Sequence, residues 1–237
     1  MEPLRIEALL SNRMAAPRTP IHLDALLAYA QVKTYFDPDE AGTEDYFRVL
    51  GNQIPVARHE AQGDWFFKAS VFMPVGPVSH SSEFFTQRMD QEGLVAGIKS
   101  CSVKLKKRPD DPRNKPENLP LHGAKIDVVR GVYRNMLGFY GVTEADRYQA
   151  FCVGDREEIE SLLASGHVNH LGPRRGTGYG AIAAWRVIPD ESALERCYDR
   201  VRHIQLTPDD QPVVSPIRPP YWDKSAARTA YCPPAIA

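Results

Sequence analysis

The chain holds 237 residues, 43% of them hydrophobic and 25% charged, a composition with room for one sizeable apolar core. Its formal net charge of -1 excludes a surface that is basic all over, so any contact with nucleic acid must come from local patches. Its four cysteines, Cys101, Cys152, Cys197 and Cys232, stand far apart with no Cys-x-x-Cys pair, which argues against a zinc knuckle or a disulfide framework.

Met1-Glu2-Pro3-Leu4-Arg5 lacks the basic flank and apolar run of a signal peptide, and no stretch is apolar over a bilayer's width. The sequence therefore predicts a soluble, cytoplasmic protein. Leu4-Arg5-Ile6-Glu7-Ala8-Leu9-Leu10 alternates before turning apolar and reads as the first strand. Pro17 and Pro20 mark a loop, after which Leu23, Leu26, Leu27 and Ala30 follow helical spacing over residues 22–32. Residues 37–63 are polar and broken by proline and glycine, as in a long surface loop. Residues 65–73 read as a second strand, stopped by Pro74 and Pro77.

Residues 78–125 differ from their surroundings. From Lys99 to Lys115, Lys99, Lys104, Lys106, Lys107, Arg108, Arg113 and Lys115 stand against only Asp110 and Asp111, and Pro109, Pro112, Pro116 and Pro120 oppose a compact core. The stretch reads as a basic, extended arm. Alternation returns over 126–133, and residues 147–154 form a third core strand, with Cys152 as a small buried hydrophobe. Asp155 is placed to cap a helix carrying Glu157 and Glu158 in its first turn, then Ile159, Leu162 and Leu163, ending near Gly166. A last strand spans 181–188 and closes before Pro189. A strand-like run at 201–206 follows, within a proline-punctuated, mostly extended C-terminal extension, 190–237.

With the arm set aside, the order is strand, helix, strand, strand, helix, strand. It predicts an α+β domain over 1–189, a ferredoxin-like (RRM-like) antiparallel sheet with the arm inserted between the second and third core strands.

The loop before the last strand carries the chemistry. Gly172-Pro173-Arg174-Arg175-Gly176-Thr177-Gly178-Tyr179-Gly180 has four glycines in nine residues, which let backbone approach a ligand closely. Consecutive amides can cup an anion, the two arginines can fork onto phosphates, and Tyr179 can stack on a base. The other reading is a glycine turn with two solvated arginines. A Rossmann fingerprint requires strand, loop, helix, the reverse of this order, and no Gly-Lys-Ser/Thr P-loop is present.

In this setting the loop resembles the glycine-rich loop of the RAMP superfamily, the ferredoxin-like RNA-binding proteins of CRISPR systems. His22-Leu23-Asp24-Ala25-Leu26-Leu27-Ala28-Tyr29-Ala30 resembles the first helix of its members in type IV complexes, and the likeness spans residues 4–189. It is most similar to the subunit that caps the 5′ handle of CRISPR RNA. The resemblance implies a non-catalytic RNA-binding subunit without cofactor or metal. Arg174, Arg175, Gly176, Thr177, Gly178, Tyr179 and Gly180 would bind the RNA together with Lys104, Lys106, Lys107 and Arg108 of the arm, or thumb. It further implies contacts with the backbone and large subunits, with target duplex DNA, and with an accessory helicase.

The alternative within the same superfamily is a metal-independent endonuclease that processes CRISPR RNA repeats. Such cleavage needs one group to activate the 2′ hydroxyl and another to protonate the leaving oxygen. His22, at the position where processing relatives carry a catalytic histidine, is one candidate. His80, His122, Tyr29 and Tyr133 are others. No His-x-x-x-His pair or Asp-rich motif points to a metal nuclease.

Overall fold

The computed structural model describes residues 1–35, 51–87, 92, 95, 96 and 136–236. It is a mixed α and β protein with antiparallel sheets and few helices, and it divides into two units: 1–81 with 141–237, and 82–140.

The central sheet of the first unit is built on β1 (Glu2–Leu10), flanked by β8 (Arg147–Gly154) and β9 (Ile182–Pro189), with β5 (Met73–Val75) beyond β8. All three pairings are antiparallel, in the order β5-β8-β1-β9. The alternation read in β1 is realised. Leu4, Ile6 and Ala8 are fully buried beside Ala150 and Cys152 of β8, under α1 (Leu23–Tyr35) and α2 (Arg156–Ala164). Leu23 and Leu27 of α1 and Ile159, Leu162 and Leu163 of α2 close this core. The Asp155 carboxylate accepts the Glu158 amide at 3.1 Å, the cap expected from sequence.

The expected strand over 65–73 is two strands. β4 (Asp64–Phe67) forms a ribbon with β3 (Arg58–Ala61), inside what the sequence suggested was surface loop. Ala69 and Val71 then make single bridges to Cys152 and His22, and the chain resumes at β5. Pro74 does not stop that strand but pairs with Tyr148 inside it, and Pro189 likewise ends β9 opposite Leu4. Both lie on edge strands, where a missing amide is tolerated. The expected strand at 126–133 lies outside the described residues. A three-stranded sheet in the order β2-β7-β6 joins β2 (Met14–Ala15), β7 (Met136–Glu144) and β6 (Ser79–Gln87).

The C-terminal residues are not a loose extended tail. Helix α3 (Ala193–Arg196) packs on β8 and β1, and β10 (Gln211–Ser215) pairs with β11 (Arg228–Cys232) over a small core of Val201, Ile217, Ala230 and Cys232. The run 201–206 is not a strand; only Arg202 bridges, to Tyr231. Arg202 within it and Arg200 just before it turn inward instead. Arg202 meets the buried Asp210 at 2.7 Å. Arg200 is fully buried and meets Asp24 at 2.9 Å, the carbonyls of Phe67, Ala69 and Ile217 at 2.7, 3.1 and 2.7 Å, and the Tyr221 hydroxyl at 2.5 Å.

Of the second unit, the described residues besides 92, 95 and 96 are the distal parts of β6 and β7. The Phe85 ring lies 5.8 Å from that of Tyr140 and fills the space above Gly138, while Phe84, Leu137 and Phe139 are exposed.

Candidate nucleic-acid interface

The loop after α2 is closed at its base by backbone. His170 bridges Ala181, the Leu171 amide donates to the Gly180 carbonyl at 2.7 Å, and the Ile182 amide donates to Asn169 at 3.0 Å. Above this pinch Arg175–Thr177 makes a tight 3-10 turn. The Thr177 amide and hydroxyl both donate to the Arg174 carbonyl, at 3.0 and 2.9 Å, and the Gly178 amide donates to Arg175 at 2.9 Å.

The loop therefore does not offer a full row of amides to an anion, as its composition suggested. Thr177 and Gly178 use theirs within the turn, and Gly180 donates to the Arg13 carbonyl at 2.9 Å. A concavity of consecutive amides is shortened by as much, so recognition falls to the side chains at the crest. Arg175, Gly176, Thr177 and Gly178 are exposed, while Arg174 and Tyr179 are half-buried. Arg174 is held at φ 63°, a left-handed conformation that costs a non-glycine residue about 1–2 kcal/mol.

The glycines divide by role. A Cβ on Gly180 would lie 1.9 Å from the Leu171 carbonyl oxygen, so that glycine is required by the pinch. Gly176 has open space around it and no left-handed torsion, so nothing in the fold demands a glycine there.

Sequence reading missed what grips the loop. The turn after β1 supplies Asn12, whose Nδ2 donates to the Gly178 carbonyl at 2.5 Å and whose Oδ1 accepts the Ala181 amide at 2.9 Å. The Ser11 amide adds a hydrogen bond to the Ala181 carbonyl at 2.9 Å. Ser-Asn at a strand end is a turn signal, but only the sheet order shows that this turn meets a loop some 166 residues later.

His22 sits elsewhere. It is buried, its ring is stacked on Tyr221 with centroids 4.3 Å apart, and its Nδ1 has no hydrogen-bond partner. Burial, and then the nearby Arg200, hold its imidazole well below the ordinary range. Asp24, two residues on, is pulled upward by burial against the opposing effects of Arg200 and the Tyr221 hydroxyl, which donates to it at 2.9 Å. This cluster is buried, and Tyr221 covers one face of the His22 ring. His80 is exposed, with Nδ1 3.4 Å from the Thr143 hydroxyl, and Tyr29 is half-buried near Lys33. Among the described residues no three His, Cys, Asp or Glu side chains gather as metal ligands would.

The family model for the CRISPR type IV associated protein Csf3 matches residues 2–233. The chain belongs to that family. No curated protein matches it.

For a Csf3-family chain the second face of the central sheet is also informative. An RRM-like domain stacks bases on that face. Here Glu7 is buried between Arg5 and Arg147, at 3.3 and 3.4 Å, and Phe151 is buried with the Arg196 guanidinium 3.9 Å from its ring centroid. The sheet thus has no open aromatic platform. Lys104, Lys106, Lys107 and Arg108, expected beside the loop, lie outside the described residues, as do His122 and Tyr133. No helix among the described residues is long and apolar enough to cross a membrane.

Proposed function

We propose that this chain is a non-catalytic RNA-binding subunit of a type IV CRISPR ribonucleoprotein, and that its glycine-rich loop holds the 5′ handle of CRISPR RNA. The observation that carries this reading is the crest of that loop. Arg174 is held in a costly left-handed conformation and Arg175 is exposed beside an open Gly176, on a base stitched to β1. Two adjacent guanidiniums on a backbone fixed this way suit phosphate oxygens. The sheet order β5-β8-β1-β9, with both helices on one face, is that of a ferredoxin-like domain and supports membership of the RAMP superfamily.

On this reading residues 78–125 are the thumb. It reaches toward the backbone subunit and adds Lys104, Lys106, Lys107 and Arg108 to the RNA contacts. The large subunit, the target duplex DNA and an accessory helicase complete the cytoplasmic assembly. The subunit performs no cleavage, and the burial of His22 supports this, because a general base must reach the hydroxyl it activates.

The test is copurification of guide-length RNA from cells expressing the whole complex, followed by affinity measurements across a salt series. Replacing Arg174 and Arg175 with alanine should weaken binding by roughly 1.5–3 kcal/mol per charged contact and flatten the salt slope by about 0.7 per phosphate. A folded double variant that binds as tightly as wild type at every salt concentration would leave the loop as a turn only. A defined cut in repeat RNA would favour the endonuclease.

A further inference from the structure

A second cationic site lies on the β3–β4 ribbon. The register pairs Arg58 with Phe67 and Glu60 with Trp65, which puts these four side chains on one face. The Arg58 guanidinium stands 4.2 Å from the Trp65 ring centroid, and that of Arg218 stands 4.5 Å from the same ring. Arg228 completes the group through Asp64. Asp64 meets Arg218 at 3.1 Å through one oxygen and Arg228 through the other, and it also accepts the Trp65 amide at 2.8 Å.

Arg218 and Arg228 thus share one carboxylate, and Arg58 and Arg218 share one indole. Asp64 has both oxygens engaged, Arg58 donates to the Asn52 carbonyl at 2.6 Å but meets no carboxylate among the described residues, and Glu60 on the same face pairs with none of the three. Crowding like charges is unfavourable, and Arg218 registers it. Burial first, then the neighbouring Arg228 and Arg58, hold its guanidinium below the usual value against the pull of Asp64. Three guanidiniums around one engaged carboxylate leave a local excess of positive charge that an anion would offset.

The chemistry of that anion follows from what the patch presents. The indole ring is occupied by guanidiniums, so the patch presents oriented N–H forks and positive charge rather than apolar area. Stacked, weakly hydrated guanidiniums suit the oxygens of successive phosphates. We propose that Arg58, Arg218 and Arg228, arrayed around Trp65 and Asp64, form a second polyanion site that seats the sugar–phosphate backbone of a nucleic-acid strand. The site is independent of the glycine-rich loop.

The test uses the full chain, with fluorescence anisotropy of short RNA, single-stranded DNA and duplex DNA across a potassium chloride series. All variants are made both in wild type and in the Arg174→Ala/Arg175→Ala background. Arg58→Gln with Arg218→Gln keeps the Arg228–Asp64 pair, so no carboxylate is stranded. It should weaken binding about tenfold or more at low salt and make the slope on single strands shallower by about 1.4. Asp64→Asn should do the reverse, tightening binding and steepening the slope, a gain that misfolding cannot produce. The strand type that loses most identifies whether the occupant is RNA or DNA. Loss on adding the glutamines to the Arg174/Arg175 variant sustains this site even where the loop fails to bind. Two outcomes overturn the proposal. In one, the glutamine and asparagine variants both match their parents on every strand. In the other, poly-glutamate displaces the strands as well as unlabelled nucleic acid does, which makes the patch a docking site for an acidic peptide.

Discussion

Arg200 and the Arg174–Arg175 pair are the same side chain under opposite rules. Arg200 is fully buried, with its guanidinium donating to one carboxylate, one hydroxyl and four main-chain carbonyls. Asp24 and Tyr221 outweigh the effect of burial and hold it above its ordinary value. Arg175 stands exposed on a turn whose own backbone is bonded to itself and to the end of β1. In the first case the fold consumes the donors to satisfy its interior. In the second, backbone and Asn12 make the turn rigid, and the side chain at the crest is left for something outside. A cation's function is read from where its donors are directed, which counting charges does not reveal.

The contrast predicts where substitutions will be felt. Arg200→Ala should be the most damaging, lowering stability by about 3–5 kcal/mol because it strands a buried carboxylate; urea denaturation measures it. Replacing Arg200 and Asp24 together with apolar residues should cost distinctly less than the single change. Next comes Gly180→Ala, whose Cβ would collide with the Leu171 carbonyl at φ 68°, with an expected loss of about 3 kcal/mol in the same assay.

A third, intermediate effect depends on pH. The folded imidazole of His22 lies below its unfolded value of 6.5, so the unfolded chain binds the extra proton first. The contribution of neutral His22 is complete above that value and is lost as pH falls below it. His59, lowered by burial and by Lys68 and His203, acts in the same direction. His22→Gln should therefore flatten the decline in melting temperature between neutral and mildly acidic pH; an unchanged decline would assign it to other groups.

The smallest stability effect belongs to the loop's crest. Gly176→Ala and Arg175→Ala should each change stability by no more than about 0.5 kcal/mol, read by thermal melting. If either proves as costly as Gly180→Ala, the division of the loop into a structural base and an exposed crest fails.

The central sheet was legible from sequence because its pattern is local. Leu4, Ile6 and Ala8 alternate, α1 and α2 carry their apolar stripes, and Asp155 announces the second helix. The glycine-rich loop was legible as a candidate for the same reason. The split of residues 65–73 was not. Trp65, Phe66, Phe67, Val71 and Phe72 are continuous in hydrophobicity, and only tertiary pairing decides that β4 joins β3 while β5 joins β8. The grip of Asn12 on Gly178 and the burial of Arg200 were invisible for a related reason. A polar residue's partner across the chain has no periodicity to betray it, and 201–206 alternates like a strand while its Arg202 serves the interior through Asp210.

The pairing of Arg200 with Asp24 spans 176 positions, and β1 lies between two strands that are made only after residue 146. On a ribosome adding roughly 5–20 residues per second, Asp24 emerges about 9–35 s before the guanidinium that completes its site. The N-terminal helix therefore leaves the exit tunnel with a carboxylate meant for an interior that does not yet exist. Folding of this unit is accordingly timed to late synthesis. A chain ending before residue 200 lacks the guanidinium that pairs with the buried Asp24.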